Sequence, residues 1–188
     1  MRPTVFLDRD GTLNREVGFF RTPDRLELLP GVPAALHRLR AAGYRLVVVT
    51  NQSGVARGHS SEADVAAVHA QLHRQLDSLP EAYLHCPHLP PPVPGGGHGY
   101  AFDCTCRKPK PGLLHLACEL LGVTFDGGAV IGDSARDLLA ARDLPLTTIL
   151  VHSGKPAAAQ RALLAEHGVA PDHEAADLPA AVDWLLRR

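Results

Sequence analysis

Short apolar runs alternate with helical patterns along almost the whole chain. The runs are continuous and rich in β-branched residues, which is typical of strands covered on both faces. They lie at residues 4–7, 46–49, 82–84, 129–131 and 148–151, the third being the weakest. Between them, apolar residues recur at the i, i+3, i+4, i+7 spacing of amphipathic helices. This alternation predicts an α/β fold, a three-layer Rossmann-like parallel sheet with helices on both faces.

Several residues mark the ends of the predicted helices. Ser61 can cap a helix whose apolar stripe runs from Val65 to Leu76, while Pro111 and Gly122 suit the two ends of the next one. The other helical patterns lie at residues 32–39, 136–142, 157–167 and 178–186. The stretch between Asp10 and Thr50 is too short for a large cap domain over the sheet.

One long segment interrupts the alternation. Residues 87–110 hold three consecutive prolines and Gly95–Gly97, without a helix or strand period. A loop of this length in a compact domain is usually functional, or is ordered by something other than an apolar core. We expect residues 1–188 to form a single domain that carries this loop as an irregular insertion.

Composition narrows the class of protein. The 188 residues are 45% hydrophobic and 21% charged, with a formal net charge of −1, as is usual for a globular protein. Such a balance argues against a nucleic-acid or membrane partner, and no apolar run is long enough to span a bilayer. The first residues run straight into a strand without the pattern of a signal peptide. A monomeric cytoplasmic protein is therefore the default expectation.

Acidic and hydroxyl residues follow the first predicted strand. Asp8 and Asp10 are spaced to face the same side, and Gly11-Thr12 follows them. Two carboxylates so close together repel each other unless a cation binds them or the two take different roles. Taken alone, the segment could equally be a turn with surface aspartates.

Three further motifs follow in order along the chain. Polar residues at 50–54 come directly after the second strand and suit phosphate oxygens, and the cations of residues 107–110 precede a helix start, which favours anions. Gly132-Asp133 and Asp137 add a second acidic pair. Each motif alone could be an ordinary solvated turn. Together they offer carboxylates for Mg²⁺, lysine and hydroxyl contacts for phosphate, and a carboxylate nucleophile with a second acid/base, as hydrolysis of a phosphate monoester requires.

Cysteines and a histidine flank the irregular loop. Cys86 and His88 form one close pair, and Cys104 and Cys106 form another. Three thiolates and an imidazole make a closed tetrahedral zinc site, which would explain how a loop without a core stays ordered. His85 and His98 are rival ligands, and Cys118 is interpreted as a thiol of the core.

The four motifs together resemble those of the haloacid dehalogenase (HAD)-like phosphatases. Leu-Asp-Arg-Asp-Gly-Thr, Val-Thr-Asn-Gln-Ser-Gly-Val-Ala-Arg-Gly and Cys-Arg-Lys-Pro-Lys-Pro-Gly are similar to the branch containing D-glycero-D-manno-heptose-1,7-bisphosphate phosphatase and histidinol-phosphatase. The resemblance covers residues 5 to about 184. It implies Asp8 as nucleophile and Asp10 as general acid/base, with Thr50 and Lys108 on the phosphoryl group. It also implies Mg²⁺ on Asp8, the Asp10 backbone carbonyl and Asp133, with Asp137 in support, and the zinc loop at 86–106.

The resemblance extends to the substrate contacts. It implies a small phosphorylated substrate held by Glu16, Phe19, Asn51, Gln52, Ser53, Arg107 and Lys108. Two features depart from the branch: Ser134 stands where many heptose enzymes have a lysine, and the loop is longer and richer in proline and glycine. The expected reaction is removal of the C7 phosphate of a heptose 1,7-bisphosphate. Histidinol phosphate is the alternative substrate, and a catalytically silent, zinc-stabilised binding module is the alternative of another class.

Two other histidines have the spacing of a metal-binding pair. His69 and His73 lie four residues apart on a predicted helix, but no accompanying carboxylate motif surrounds them. We interpret them as part of a solvated helix face.

Overall fold

Six parallel strands form one sheet. The computed structural model describes residues 2–19, 22–94 and 99–188. The strands are β1 (Pro3–Leu7), β2 (Arg45–Asn51), β3 (Ala82–Cys86), β4 (Thr124–Gly132), β5 (Leu146–Val151) and β6 (His173–Ala175). The helices are α1 (Val32–Ala41), α2 (Glu62–Gln75), α3 (Gly112–Leu121), α4 (Ala135–Ala141), α5 (Ala157–Glu166) and α6 (Leu178–Leu185), with a short 3₁₀ turn at Pro23–Arg25. The predicted α/β class is confirmed.

The strand order creates a switch point beside β1. The order across the sheet is β3-β2-β1-β4-β5-β6, so the chain first builds outward from β1 and then returns to its other side. All five neighbouring pairs are parallel. The carboxyl ends of β1 and β4 therefore lie side by side where the order reverses, which is the usual ligand position in such sheets.

The core lies on both faces of the sheet. Along β1, Val5 and Leu7 face one apolar cluster, which includes residues of α1, α2 and α6, and Phe6 faces the other, which includes α3 and α4. Because successive strand side chains alternate, each central strand anchors both layers. Full burial of one such side chain contributes roughly 1.5–3 kcal/mol, so this core holds the strand ends in a fixed register.

Helix ends agree closely with the sequence signals. The Ser61 hydroxyl accepts a hydrogen bond from the Asp64 backbone N–H at 3.1 Å, and Gly122 ends α3 in the left-handed conformation. Pro111 caps α3 rather than opening it, since the helix begins at Gly112. Strand β6 was not predicted. In the described part of the chain, no helix combines the length and apolar character needed to cross a membrane.

The interpretation of His69 as a solvated side chain is wrong. His69 is a buried residue of α2, with 7% of the residue exposed. Its ring stacks on Tyr83, with the ring centroids 5.3 Å apart. His73, one turn later, is partly buried and also contacts Tyr83. His69 falls on the same helix face as Val65, Val68 and Leu72, so helical spacing alone places it against the sheet.

Within residues 87–94 and 99–110, the irregular segment has neither an α-helix nor a strand. Gly95–Gly97 and His98 lie outside the described residues, as do Phe20 and Arg21 of the flap after β1.

Candidate active site

Three buried carboxylates converge at the switch point. Asp8 follows β1, Asp133 follows β4, and Asp137 lies in the first turn of α4. One oxygen from each lies within 4.8 Å of the others. Burial, followed by the negative charge of Asp8, raises the pKa of Asp133 to about 6 and that of Asp137 to about 7. Clustered carboxylates with raised pKa values could hold a cation, because a bound cation relieves both the burial and the repulsion.

Lys108 reaches into this cluster from the segment before α3. Its ammonium lies 2.9 Å from Asp8 and 2.5 Å from Asp137, and it donates a further hydrogen bond to the Val49 carbonyl at 2.8 Å. Burial alone would lower the pKa of Lys108, but Asp137 and Asp8 raise it above its ordinary value. The lysine is thus a permanent cation beside the predicted nucleophile.

Lys155 is a second cation that the sequence reasoning missed. It follows β5, and its ammonium lies 3.1 Å from Asp133 while its backbone N–H donates to the same carboxylate at 2.9 Å. The signal was present, because a lysine shortly before a helix start is the pattern that marked Lys108. Three carboxylates against two ammonium groups leave an excess negative charge, and oxygen ligands of this kind suit Mg²⁺.

Asp10 lies beside the cluster but is held by other partners. Arg9, only 1% exposed, donates to both Asp10 oxygens, from Nε at 3.1 Å and from Nη2 at 2.8 Å. The amides of Asn14 and Gln52 donate to the same carboxylate at 2.9 and 2.8 Å. Burial alone would raise the pKa of Asp10, but the Arg9 charge and these bonds lower it below its ordinary value. Asp10 is therefore a carboxylate when no substrate is bound.

The polar residues after β2 mostly hold other site residues. Asn51 exchanges two 3.0 Å hydrogen bonds with the Lys108 backbone, and Gln52 bridges Asp10 to the Thr50 hydroxyl, the latter at 2.9 Å. All of these residues, together with Ser53, line one cavity of about 270 Å³ that also contains Asp8 and Lys108. The residues of the predicted phosphate loop therefore line the cavity, and their side-chain amides are hydrogen-bonded to other residues of the site.

The flap and two arginines contribute further residues to the lining of this cavity. Glu16 and Phe19 line it, and the Phe19 ring, 42% exposed, stacks on His59 at 4.6 Å. Arg107 and Arg136 also line the cavity. Burial and then the charge of Arg136 lower the pKa of Arg107, which places the two guanidinium groups within electrostatic reach. Among the described residues, neither arginine has a carboxylate partner.

Two glycines allow the chain to close around Asp133. A Cβ atom on Gly154 would lie 2.1 Å from an Asp133 oxygen and 2.7 Å from the Gly11 Cα, and one on Gly11 would lie 2.3 Å from the same oxygen. The Asp133 carboxylate therefore keeps its position only with no side chain at either place.

Gly154→Ala should displace Asp133. We expect the Mg²⁺ concentration needed for half-maximal activity to rise by about 10- to 100-fold, as when the support of a metal ligand is disturbed. A Mg²⁺ titration of phosphate release measures this effect. Gly122→Ala is the control for a general loss of stability: its left-handed φ of 58° disfavours alanine, but a Cβ there meets nothing within 4 Å and Gly122 does not line the cavity. It should leave the Mg²⁺ requirement unchanged. An unchanged Mg²⁺ requirement in Gly154→Ala would separate Asp133 from metal binding.

The cysteine cluster has the dimensions of a tetrahedral zinc site. Sγ of Cys104 lies 3.5 Å from that of Cys86 and 3.4 Å from that of Cys106. Nδ1 of His88 lies 3.6 and 3.3 Å from the sulfurs of Cys86 and Cys106. Zinc bonded to three sulfurs and one nitrogen separates these atoms by about 3.5–3.8 Å, so the four residues could bind zinc. The rival His85 instead pairs with Glu62 at 2.5 Å.

Hydrogen bonds connect the cysteine cluster to residues of the cavity. The Gln52 backbone N–H donates to the Cys86 carbonyl at 2.7 Å. Arg107 donates from Nη1 to the backbone carbonyl of His88 at 3.0 Å. The His88 ring is covered by Phe102, whose centroid lies 4.2 Å away. Order in the loop therefore fixes the position of an arginine in the cavity wall.

Known proteins resemble this chain over nearly its full length. The family described as HAD-hydrolase-like matches residues 105–181. A D-glycero-D-manno-heptose-1,7-bisphosphate 7-phosphatase of Thermosynechococcus vestitus is 38% identical, covering 98% of this chain and 95% of that protein. The Pasteurella multocida D-glycero-beta-D-manno-heptose-1,7-bisphosphate 7-phosphatase is 40% identical over 83% of this chain and 85% of its own.

A solved structure shares the fold. The D,D-heptose 1,7-bisphosphate phosphatase of B. bronchiseptica, complexed with magnesium and phosphate, superposes with a TM-score of 0.79 at 34% identity and covers 98% of both chains. This agreement, with the ordered motifs and the converging carboxylates, shows that the chain belongs to the D-glycero-D-manno-heptose-1,7-bisphosphate 7-phosphatase family of HAD-like hydrolases.

Proposed function

We propose that this protein is a Mg²⁺-dependent phosphatase that removes the C7 phosphate of D-glycero-D-manno-heptose 1,7-bisphosphate. One observation carries the proposal: a single cavity is lined by Asp8, Asp137 and Lys108 and also by two arginines, Arg107 and Arg136, which have no carboxylate partner among the described residues. The carboxylates and their lysine suit the phosphoryl group that is transferred. The two arginines suit an anionic group that stays on the product.

The side chains support a two-step transfer. Asp8 attacks phosphorus while the ester P–O bond breaks, and the departing alkoxide takes a proton from Asp10. Water then attacks the aspartyl phosphate, Asp10 accepts its proton, and inorganic phosphate leaves Asp8 free again. Asp10 needs its proton only when phosphate is bound, and the negative charge of that phosphate raises the pKa of a neighbouring carboxyl.

The metal ligands belong to the same proposal. Mg²⁺ held by Asp8, the Asp10 backbone carbonyl and Asp133, with Asp137 in support, would neutralise charge on the phosphoryl oxygens. Lys108 and the Thr50 hydroxyl orient the same group from the protein side. Zn²⁺ on Cys86, His88, Cys104 and Cys106 orders the loop at the cavity rim. A single domain over residues 1–188, a monomeric state and a cytoplasmic location stay predictions of the sequence.

Arg136 supplies a cation where Ser134 does not. It lies in the first turn of α4 and lines the cavity beside Arg107, two residues from the position at which the family resemblance leads one to expect lysine. Phosphate is a good partner for paired guanidinium groups because it accepts several charge-assisted hydrogen bonds. Glu16 and Phe19 line the same cavity, and in this proposal they contact the sugar.

Arg136→Gln should weaken binding of the phosphate that remains on the product. A hydrogen bond to a charged group contributes about 1.5–3 kcal/mol, so we expect KM for the bisphosphate to rise by at least about tenfold with kcat little changed. KM for a sugar monophosphate should not move. Arg142→Gln, which removes an exposed arginine that pairs with Asp143 at the other end of α4, is the control. Equal effects on both substrates would remove Arg136 from the subsite.

Relative rates on three substrates test the function itself. We expect kcat/KM for the heptose 1,7-bisphosphate to exceed the values for fructose 1,6-bisphosphate and histidinol phosphate by at least about 100-fold, with ³¹P NMR showing that the C1 phosphate remains. The two arginines disfavour binding of histidinol phosphate, because that substrate carries a cationic amine in place of a second phosphate. Preference for histidinol phosphate would replace the proposed substrate, and no Mg²⁺-dependent turnover of any phosphate ester would favour the silent binding module.

A further inference from the structure

His69 contacts the active site without lining its cavity. Its Nε2 lies 3.3 Å from Nη1 of Arg9, and both side chains are buried. Arg9 in turn holds both oxygens of Asp10. The three residues therefore form a continuous chain from α2 to the predicted general acid/base.

The chemistry of the contact fixes the state of the imidazole. Arginine has only donors and stays protonated, so the hydrogen bond forms only if Nε2 of His69 carries a lone pair. The ring must then be neutral, with its proton on Nδ1. Burial and then the Arg9 charge lower the pKa of His69 to about 3, in agreement with this state at neutral pH.

Packing holds the imidazole in place. Its ring stacks on Tyr83 of β3 at 5.3 Å and meets the edge of His85 at 5.5 Å. His85 is itself paired with Glu62 at the start of α2. A ring fixed on two sides sets the direction of its lone pair, and through it the plane of the Arg9 guanidinium.

We infer that His69 is a positioning residue of the phosphatase, which orients Arg9 so that Asp10 stays aimed at the leaving group. The inference rests on the proposed function, since it gives Asp10 a proton to deliver. It also explains why a histidine occupies an apolar helix face: leucine there would remove an acceptor from a buried guanidinium group. His69 touches neither substrate nor metal and acts only through Arg9.

Kinetics on two leaving groups test this role. Loss of general acid catalysis costs typically 10²–10⁴-fold, and it matters for an alkoxide that must be protonated far more than for p-nitrophenolate. We expect His69→Leu to lower kcat/KM, which reports the steps up to departure of the alcohol, by about 10- to 100-fold on the sugar phosphate and by less than about threefold on p-nitrophenyl phosphate. The later hydrolysis of the aspartyl phosphate is common to both substrates and does not enter kcat/KM. Asp10→Asn sets the benchmark for that selectivity.

Two further variants separate positioning from packing. His69→Gln keeps an acceptor oxygen and should recover most of the kcat/KM on the sugar phosphate. His73→Leu removes the neighbouring histidine, which contacts Tyr83, and should behave like the wild type. Equal losses on both substrates in His69→Leu, or a Gln variant as slow as the Leu variant, would reduce His69 to a packing residue.

A spectrum of the resting protein tests the inference without any turnover. The ¹⁵N shifts of the His69 ring should report an unprotonated Nε2 and a protonated Nδ1 between pH 5 and pH 8. A protonated Nε2 at neutral pH would exclude the hydrogen bond from Arg9 and overturn the inference. If the wild-type enzyme prefers another alkyl phosphate, the proposed substrate changes. The ratio of variant to wild-type activity on that substrate and on p-nitrophenyl phosphate would still test the role of His69.

Discussion

Asp8→Asn should abolish Mg²⁺-dependent phosphate release, lowering kcat by at least about 10⁴-fold, because an amide cannot form the aspartyl phosphate. The fold should persist. In the wild type, Asp8 lies in a buried group of three carboxylates, so its neutral isostere removes like-charge repulsion and leaves Lys108 paired with Asp137. We expect a free energy of unfolding within about 1 kcal/mol of the wild-type value.

Steady-state phosphate release and thermal unfolding together check this prediction. Asp183→Asn is the matched control, because it removes an exposed aspartate that pairs with Arg38 on the surface. The control should retain full activity. Turnover within about tenfold of wild type in Asp8→Asn would refute the assignment of Asp8 as nucleophile, and loss of the folded state would point to a structural role for its contact with Lys108.

Cys104→Ser should release zinc and destabilise the protein. The Cys104 sulfur lies 3.4–3.5 Å from the other two sulfurs of the cluster. A serine hydroxyl is a poor substitute for a thiolate as a zinc ligand. Binding of structural zinc is worth about 10–16 kcal/mol in small zinc domains. If only about 3 kcal/mol of this reaches the whole protein, Tm falls by about 6–12 °C at 2–4 °C per kcal/mol.

Elemental analysis and thermal unfolding measure these effects. The wild type should contain about one equivalent of zinc, and Cys104→Ser should contain almost none. Because the His88 carbonyl holds Arg107, the variant should also show a higher KM for the bisphosphate. Cys118→Ser changes a thiol of α3 outside the cluster and should alter neither quantity. A native protein without zinc and with equal stability would remove the metal from the account.

The fold could be predicted because the spacing of apolar residues in most segments matches the faces that the structure buries. Strands β1, β2, β4 and β5 are buried apolar runs, and the helical patterns between them predict parallel pairing. Strand β6 escaped prediction because His173-Glu174-Ala175 is short, polar and without β-branched residues. Its place depends on pairing with β5, a contact that no local signal records.

The catalytic motifs could be recognised because four of them follow in order, each after a strand or before a helix. What the sequence could not say is which partner each side chain has. Asn51 and Gln52 carry amides suited to phosphate, yet they bind Lys108, Asp10 and Thr50. The type of a side chain gives its hydrogen-bonding capacity, and only the packed structure gives its partner.

His69 shows a different failure. Its spacing from Val65, Val68 and Leu72 is that of a buried position, whereas the polar character of histidine favours a solvated one. A buried histidine needs a partner, and that partner, Arg9, lies 60 positions away in sequence. Contacts of this range follow from the topology that brings α2 beside β1 and β3.

Chemical trapping tests the central claim most directly. Wild-type enzyme is mixed with Mg²⁺ and substrate and quenched with borohydride, which reduces an acyl phosphate to an alcohol and so converts a phosphorylated aspartate to homoserine. We predict homoserine at position 8 by peptide mass spectrometry, dependent on Mg²⁺ and absent from Asp8→Asn. Homoserine at any other position, or at none during active turnover, would contradict the account.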